Sequence, residues 1–347
     1  MQRLRYIKQT GLAYLVFPGA NHTRFEHSLG TMQITREMLA QLGEKDAQEL
    51  ECAGLLHDIG HGPFSHNSDD LLKRYLKTNH EELGKKMVKN TSIKEILQDS
   101  TASLSKIMSY LNGEGRGEIV TGPFGSDRID YLVRDSHYSG VTYGFIDYQN
   151  IRDKFTLYKG KPAVFDQARS SVENFLLARY SMFTSMYHHH GALIAGGMYE
   201  LAVENAINSG SMDPNELKSL NDWQMLSRLT SIKESRELAT RITERRLFKR
   251  VFSGEVESEP DLKAIEKALE DKLDKDEYVV RMVRIRMDDS DVTILNKDGK
   301  SIGKLSEISP LIRTLTKELS KRRRVVVACD KKNVPKARAA VERLPQQ

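Results

Sequence analysis

The sequence predicts a mainly α protein, with an all-helical core followed by a small α+β domain at the C-terminus. Two contrasting patterns lead to this prediction. From Met1 to about Asn208, apolar residues recur with the 3.6-residue period of helices and β-rich segments are few. Beyond about residue 276, short alternating segments that are typical of strands appear. The C-terminal domain is predicted to contain strands at Tyr278 to Met287 and Val292 to Leu295, a helix at Leu311 to Leu319, a strand at Arg324 to Ala328 and a helix at Val334 to Leu344.

These patterns divide the chain into three predicted domains. Residues 1–207 form a helical domain, residues 208–275 a more polar helical covering lobe, and residues 276–347 the small α+β domain. The helices expected in the first domain include Gly30 to Leu42, Ala47 to Leu56, and Gln167 to Ile207 with an interruption around Gly191 to Gly197. Ser68, Thr101 and Ser126 are predicted to cap helices, and residues 112–125 to form a glycine-rich loop. The helices expected in the covering lobe are Pro214 to Ile232, Ser235 to Arg245 and Glu259 to Leu273.

The composition is that of an ordinary globular protein and excludes several other classes. The 347 residues are 39% hydrophobic and 29% charged, and no segment approaches the roughly 18 apolar residues of a membrane helix. The N-terminus has no secretory signal pattern, and Cys52 and Cys329 lie far apart, so we expect a reduced, cytoplasmic protein without disulfides. The net charge of +5 suits an anionic small substrate such as a nucleotide, although a solvated surface of mixed charge is the more ordinary explanation.

A histidine and an aspartate that follow an apolar segment predict a metal site. His57 and Asp58 come directly after residues 53–56, which should be buried. A buried carboxylate is costly unless it is paired or coordinates a cation. Gly60 and Gly62 indicate that the helix ends here, so the two adjacent side chains can converge on one ion although helical neighbours diverge by about 100°.

The remaining ligands of this predicted site must come from other helices. His27 and Asp127 are the candidates, because each lies near an expected helix end. Imidazole together with carboxylate suits one divalent metal ion, and Mn, Fe, Zn and Mg are all compatible. Tyr131 and Asp135 follow Asp127 at helical spacing and offer a polar wall to a sugar. Each of these residues alone is explained at least as well by a hydrogen-bonded core position or a solvated helix face.

Three motifs together resemble those of a known family. They are Arg-Phe-Glu-His-Ser-Leu-Gly from Arg24, His-Asp-Ile-Gly-His-Gly-Pro-Phe-Ser-His from His57, and Asp-Arg-Ile-Asp-Tyr-Leu-Val-Arg-Asp from Asp127. This combination resembles the HD-domain dNTP triphosphohydrolases, which include the SAM-and-HD-domain type and its bacterial and archaeal relatives. The resemblance is dense from residue 1 to about 148, becomes weaker towards residue 196 and is slight in the C-terminal domain.

The resemblance implies an HD-domain core, a reaction and a role for each matching residue. The implied reaction, of the dGTPase kind, hydrolyses a deoxynucleoside triphosphate to a deoxynucleoside and inorganic triphosphate. His80, paired with Glu81 or another carboxylate, is the expected acid for the leaving 5′-oxygen. The implied metal ligands are His27, His57, Asp58 and Asp127, the catalytic residues are His80, His61, His66 and Arg24, and the substrate-binding residues are Gln9, Arg128, Tyr131, Asp135, Arg179, Tyr187 and His188.

Three substitutions leave the choice of substrate open. Thr10 stands where the closest relatives have leucine, Arg128 where they have lysine and His188 where they have glutamine. Two alternatives therefore remain: an HD phosphohydrolase acting on another nucleotide, such as GTP, a mononucleotide or a signalling nucleotide, and a nucleotide-binding regulator without catalysis. The resemblance also implies a homo-oligomer, either a dimer or a tetramer, with a regulatory nucleotide near Arg5 at a subunit interface, and no membrane partner.

Overall fold

The computed structural model describes residues 1–44, 48–257, 261–284, 291–319 and 322–341, and these form a mainly helical protein with small sheets. The expected fold class is thereby confirmed, while the boundaries of the three domains stay a prediction. None of the helices in these ranges is both long enough and apolar enough to cross a membrane. Four predicted element ends lie outside the described residues, namely Ala47, Glu259, Met287 and Leu344.

The N-terminal part of the chain is built from helices around a central helix, α1. They are α1 (Arg24–Gln41), α2 (Gln48–Leu56), α3 (Asp69–Leu76), α4 (His80–Asn90), α5 (Ser92–Gln98), α6 (Leu104–Leu111), α7 (Glu118–Thr121) and α8 (Ser126–Ser139). A capping box fixes the start of α1, because the backbone N–H of Thr23 donates to Glu26 at 2.6 Å. α1 packs against both α2 and α8, which brings three helix ends to one place.

The later helices pack around this group and supply much of a second hydrophobic core. They are α9 (Tyr148–Asp153), α10 (Arg169–Met182), α11 (His190–Asn208), α12 (Glu216–Ser219), α13 (Asp222–Ser231), α14 (Lys233–Thr243), α15 (Leu262–Glu270), α16 (Leu305–Ile308), α17 (Pro310–Leu319) and α18 (Val334–Val341). Short 3-10 turns occur at Gln2–Tyr6, Gly11–Leu15, Ser65–Ser68, Gly115–Gly117, Asp166–Ala168, Lys275–Glu277 and Lys331–Asn333. α11, α13 and α14 supply much of this second core. α11 is buried along most of its length and packs against α14 and the N-terminal 3-10 turn Gly11–Leu15.

Two sheets complete the fold. Their strands are β1 (Phe155–Tyr158), β2 (Lys161–Phe165), β3 (Lys249–Val256), β4 (Tyr278–Arg284), β5 (Thr293–Leu295), β6 (Ser301–Lys304) and β7 (Arg323–Cys329). The first sheet has the order β1-β2-β5-β6, with β5 parallel to β2 and the other pairs antiparallel. The second has the antiparallel order β3-β7-β4, and it packs on α11.

Several strands were not expected from the sequence. The β1–β2 hairpin lies within residues 1–207, which the prediction made all helical, and β3 lies within the lobe that was also expected to be helical. Sheet pairing explains both differences, because β2 is covered by β5 and β3 by β7, each from a distant part of the chain. Tertiary partners of this kind override local propensity.

The long helical segment is interrupted earlier than predicted. A π-helical segment at Phe183–Tyr187 separates α10 from α11, whereas the predicted interruption at Gly191 to Gly197 lies inside α11. A Cβ atom on Gly197 would lie 3.0 Å from the Cβ of Val279. Close packing of α11 on β4 therefore explains this glycine, and no helix break is needed.

Three details of the helix ends also differ from the prediction. Ser103, not Thr101, caps α6. Ser126 is the first residue of α8 and not its cap, and its hydroxyl hydrogen-bonds to Thr35 Oγ1 at 2.7 Å. Ser68 does occupy the N-cap position of α3, but its side chain makes no capping hydrogen bond. The loop expected over residues 112–125 contains a 3-10 turn and α7.

Candidate metal centre and substrate cavity

Three helix ends bring together residues that were predicted to bind metal. His27 lies in the first turn of α1, His57 directly follows α2, and Asp127 lies in the first turn of α8. The His27 Nε2 atom lies 3.2 Å from His57 Nε2 and 3.1 Å from Asp127 Oδ1, and the His57–Asp127 distance is 3.6 Å. Ligand atoms that share an ion through bonds of about 2.1 Å lie roughly 3.0–3.4 Å apart. The spacing of these three side chains therefore fits one metal ion. We call His27, His57 and Asp127 the metal group.

The other ring nitrogen of each histidine is already engaged, which leaves Nε2 for a ligand. His27 Nδ1 lies 2.8 Å from Asp130 Oδ2, and His57 Nδ1 donates to the backbone carbonyl of Gly54 at 2.8 Å. Asp130 is itself held by Arg134, whose Nε donates to it at 2.8 Å. Hydrogen bonds of this kind fix the ring tautomer and orient the Nε2 lone pair, as they do in protein metal sites.

Asp58 lies beside these three residues. Its Oδ1 atom is 3.3 Å from His57 Nε2, and its Oδ2 atom is 3.6 Å from His27 Nε2. Burial favours the neutral carboxyl, but the Arg24 guanidinium, which hydrogen-bonds to Oδ2, outweighs it and holds the pKa of Asp58 well below its usual range. An ionised carboxylate is thus available at the edge of the group.

The electrostatic environment of the metal group is strongly negative. Burial lowers the pKa of His27, but hydrogen bonds with Asp127 and Asp130 outweigh burial and raise this pKa to about 10. The carboxylates that stabilise a proton on His27 would stabilise a bound cation in the same way. The chemistry of the donors, two imidazoles with carboxylates, is compatible with Mn, Fe, Zn or Mg.

The predicted catalytic histidines form a second cluster beside the metal group. His61 stacks on His80, with the ring centroids 3.8 Å apart, and the ring of His66 lies 5.4 Å from that of His80. Burial and the nearby positive charge of Arg24 hold the pKa of His61 well below its usual value, so this ring is neutral at physiological pH.

A carboxylate that the sequence analysis missed organises this second cluster. Asp69, the first residue of α3, lies with Oδ1 2.8 Å from His80 Nδ1 and with Oδ2 2.9 Å from His66 Nδ1. In the structure, the carboxylate that pairs with His80 is therefore Asp69 and not Glu81. The spacing of three residues between His66 and Asp69 was a usable signal, because residues i and i+3 are neighbours on a helical turn.

Two adjoining cavities meet at the site. One, of about 440 Å³, is lined by metal-group and cluster residues, including His57, Asp58, His80 and Arg128. The other, of about 500 Å³, extends away from the metal group and is lined largely by apolar and aromatic side chains. Four residues line both cavities, namely Gln9, Arg24, His66 and Tyr131. We call the cavity of about 440 Å³ the metal cavity and the cavity of about 500 Å³ the substrate cavity.

The aromatic wall of the substrate cavity is fixed by hydrogen bonds. Tyr187 donates to Asp135 Oδ2 at 2.6 Å, and His22 Nε2 lies 2.6 Å from Asp135 Oδ1, so both carboxylate oxygens are engaged. His22 was not identified from the sequence, because no motif includes it. Arg179 Nε donates to the Tyr131 hydroxyl at 3.2 Å. Of the predicted substrate residues, Gln9, Tyr131, Asp135, Tyr187 and His188 line this cavity. Arg128 lines the metal cavity, and Arg179 lines neither cavity but donates to Tyr131.

Polar atoms in this cavity wall still lack partners. Gln9 Oε1, Thr10 Oγ1 and His188 Nδ1 are buried and have no hydrogen-bond partner among the described residues. Burial and the charge of Arg324 lower the pKa of His188 to about 4, so its ring is neutral and can accept a hydrogen bond. Buried polar atoms without partners are costly, and these three belong to residues that line the substrate cavity.

Comparison with known proteins identifies the family. Residues 24–141 match the HD domain, and residues 146–344 match the HD associated region. The chain belongs to the HD-domain family. The resemblance predicted from the motifs is thereby confirmed, and this family places the chain among metal-dependent phosphohydrolases.

Individual relatives agree with this assignment. An uncharacterized protein from Methanocaldococcus jannaschii is 34% identical over 90% of this chain and 70% of its own length. The crystal structure of a hypothetical protein from Aquifex aeolicus has a TM-score of 0.82 and 34% identity, covering 98% of this chain and 92% of that one. The Dictyostelium discoideum homolog of SAMHD1, a deoxynucleoside triphosphate triphosphohydrolase, is 30% identical over 72% of this chain and 54% of its own length. The chain spans about half the length of several other curated relatives.

Proposed function

We propose that this HD-domain protein is a dGTPase-like triphosphohydrolase, which converts a deoxynucleoside triphosphate to the deoxynucleoside and inorganic triphosphate. The observation that carries the proposal is the junction of the metal cavity with the substrate cavity. The metal cavity is polar and suits phosphates, whereas the substrate cavity has the size and the aromatic wall that suit a nucleoside. The scissile bond of the substrate would lie at the junction, beside Arg24, His66 and Tyr131.

The divalent ion would be held by His27, His57, Asp58 and Asp127, and when bound it supplies polarisation of a phosphate and a more acidic water. Arg128, which lines the metal cavity, would bind phosphate oxygens as they gain charge. Arg24 serves a different purpose, because its Nε donates to Ser65 Oγ at 2.7 Å while its Nη1 bonds to Asp58. Most of its donors hold the site together.

Proton transfer falls to the second cluster. Asp69 accepts the Nδ1 proton of His80, which leaves His80 Nε2 as the atom that exchanges a proton. His80 lines the metal cavity, so it can protonate the leaving 5′-oxygen of the deoxynucleoside. His66, held by the same carboxylate at 2.9 Å, would bind the phosphate group next to it.

Selection of the sugar falls to the aromatic wall. Tyr187 is fixed by its hydrogen bond to Asp135, so the ring cannot easily move to accept a larger sugar. A ribose 2′-hydroxyl on that side would meet the ring, which favours a deoxyribose. Gln9, with its unpartnered buried Oε1 atom, would accept a hydrogen bond from the sugar. Assembly into an oligomer and a regulatory nucleotide near Arg5 stay predictions.

Product analysis tests this proposal. The protein is supplied with Mn, Mg, Fe or Co in turn and incubated with each dNTP and with GTP, with Asp127→Asn as the inactive control. We expect deoxynucleoside and inorganic triphosphate from the dNTPs. Orthophosphate or pyrophosphate as the product would instead indicate an HD phosphohydrolase acting on another nucleotide. Tight binding without product under every metal would contradict the proposal and indicate a regulator without catalysis.

A further inference from the structure

The C-terminal sheet supplies part of the wall of the substrate cavity. Arg281 and Val283 of β4 both line this cavity, as expected for alternate residues on one face of a strand. Neither residue lines the metal cavity. β4 therefore borders the substrate cavity and not the metal cavity, as Phe183, His188 and Leu193 also do. No sequence motif pointed to this contribution.

The Arg281 guanidinium is held in place by carboxylates that line a neighbouring cavity and not the substrate cavity. Its Nη1 atom donates to Glu200 Oε2, and its Nη2 atom lies 3.9 Å from Asp70 Oδ2. Glu200 belongs to α11 and its side chain is 10% exposed, while that of Arg281 is 19% exposed. A guanidinium has five N–H donors in a rigid plane, so donors remain for a ligand after Glu200 is bound.

We propose that Arg281 is a specificity-determining residue that makes this site prefer guanine, with Glu200 as its positioning residue. This inference rests on the proposed function, because it assigns the far end of the substrate cavity to the base. Guanine presents two adjacent acceptors, O6 and N7, which match a planar guanidinium. Adenine presents N7 beside an amino donor, and a guanidinium has no acceptor for that donor.

A role for Arg281 in phosphate binding fits the structure less well. The positively charged residues that line the metal cavity are Arg24, Lys85 and Arg128. Arg281 lines only the substrate cavity, which it shares with Phe183 and Leu193, and these apolar side chains suit the flat faces of a base. A rigid donor that is fixed by a buried carboxylate is suited to reading the edge of a base and poorly suited to following a flexible triphosphate.

The test measures base preference in Arg281→Gln. The substrates are dGTP, dATP, dITP, which keeps O6 and N7, and 7-deaza-dGTP, which lacks the N7 acceptor. In the unaltered protein we expect dGTP and dITP to be preferred over dATP and 7-deaza-dGTP. Arg281→Gln should lower kcat/KM for dGTP and dITP by about tenfold to a hundredfold, with dATP nearly unchanged. Equal losses for all four nucleotides, or no loss, would overturn the assignment.

Glu200→Gln tests the positioning role in the same assay. This variant keeps the shape but loses the charge that holds the guanidinium, so we expect a smaller fall in the dGTP to dATP ratio without a general fall in kcat. A purely structural role for Glu200 would lower turnover of every nucleotide alike. The matched control is Arg250→Gln, an exposed position on β3 of the same sheet, which should leave the ratio unchanged.

Binding measurements separate this inference from the proposed function. The dissociation constants of dGTP and dATP are measured for the unaltered protein and for Arg281→Gln. If the protein binds nucleotides with the expected preference but never hydrolyses them, the proposed function fails and the role of Arg281 stands. If it releases triphosphate but shows no base preference that depends on Arg281, only this inference fails. A protein that binds neither nucleotide contradicts both.

Discussion

The metal cavity and the substrate cavity share four lining residues, yet their polar groups are satisfied in different ways. At the metal group, both histidines have a partner on Nδ1, which is Asp130 for His27 and the Gly54 carbonyl for His57. In the substrate cavity, Gln9, Thr10 and His188 retain buried atoms without partners among the described residues, as does His61 in the metal cavity. The two ligand histidines are thus oriented before an ion binds, whereas part of the substrate cavity wall still lacks hydrogen-bond partners.

The difference between the two cavities indicates that the chemistry takes place in the metal cavity and that the choice of substrate is made in the substrate cavity. Rigid, fully bonded groups suit an ion and a transferred proton, because their geometry must not change during the reaction. Unpartnered groups suit substrate choice, because a wrong ligand leaves them unsatisfied. Substitutions in the metal cavity should therefore abolish turnover, whereas those in the substrate cavity should alter preference.

The largest effect is expected from loss of a metal ligand. His57→Ala removes one of the converging Nε2 atoms, so bound metal should fall to background and kcat/KM by about a thousandfold or more, since a catalytic metal contributes several kcal/mol. Elemental analysis of the purified protein and a nucleotide assay measure both. His190→Ala, which replaces a histidine that lines neither cavity, is the control. Normal metal content in His57→Ala would break the assignment of the metal centre.

The next effect concerns the proton-transfer cluster. Asp69→Asn removes the charge that orients His80 and His66, and we expect kcat to fall by about 10²–10³-fold, in the range of general acid catalysis. The ion held by His27, His57 and Asp127 should stay bound, because Asp69 belongs to the neighbouring group with His61, His66 and His80, whose ligand atoms are also close enough together to hold an ion. Steady-state kinetics with elemental analysis checks this. Glu82→Gln, exposed on α4, is the control, and a variant that loses metal along with activity would count against a separate cluster.

A stability measurement probes the buried carboxylate of Asp222, which holds the backbone of Phe64, a residue that lines the substrate cavity. Asp222 accepts hydrogen bonds from the backbone N–H groups of Phe64, at 2.7 Å, and Lys8, at 2.9 Å. Burial raises its pKa to about 6, above its usual value of about 3.9. The folded state therefore binds this proton more tightly, so the contribution to stability is full below about pH 4 and is lost as the pH rises through about 6.

The expected loss at this site is about 3 kcal/mol in the free energy of unfolding, from a shift of roughly two pKa units. Asp222→Asn does not titrate, so its unfolding free energy should fall less between about pH 4 and pH 7 than that of the unaltered protein. Urea denaturation at several pH values measures the difference between the two curves. Parallel curves would show that Asp222 titrates normally in the folded protein.

The smallest effect is expected in the substrate cavity. His188→Gln replaces the imidazole by an amide and so keeps a polar group at the same place. We expect KM to change by up to about tenfold, the value of one hydrogen bond, with kcat and metal content unchanged. Kinetics with all four dNTPs measures this. A large fall in kcat would remove the distinction between the two cavities.

The sequence alone predicted the metal group well, for a physical reason. His57 and Asp58 are adjacent at a helix end that should be buried. Because a buried carboxylate is costly unless it is paired or coordinates a cation, this pattern predicts a metal ion. His27 and Asp127 were found because the other helix ends carry the same kinds of residue. The structure brings all four together, although their roles as ligands stay a prediction.

What the sequence could not predict depends on contacts between distant segments. β3, which the prediction made helical, acquires its strand character from β7, a partner far away in the chain. Arg281 reaches the substrate cavity only because β4 packs on α11, and no local pattern encodes that. The hairpin at Phe155–Phe165 did carry a local signal, since Lys159 and Gly160 both have positive φ and glycine favours such turns.

The parallel pairing of β5 with β2 has a consequence for synthesis of the protein. Val292, Ile294 and Ile312 belong to the same apolar core as α1 and α10, and β5 covers the edge of β2. A nascent chain that ends before residue 291 would leave that edge open and its core unfilled. The histidines near the beginning of the polypeptide therefore reach their final framework only after nearly the whole chain has left the ribosome.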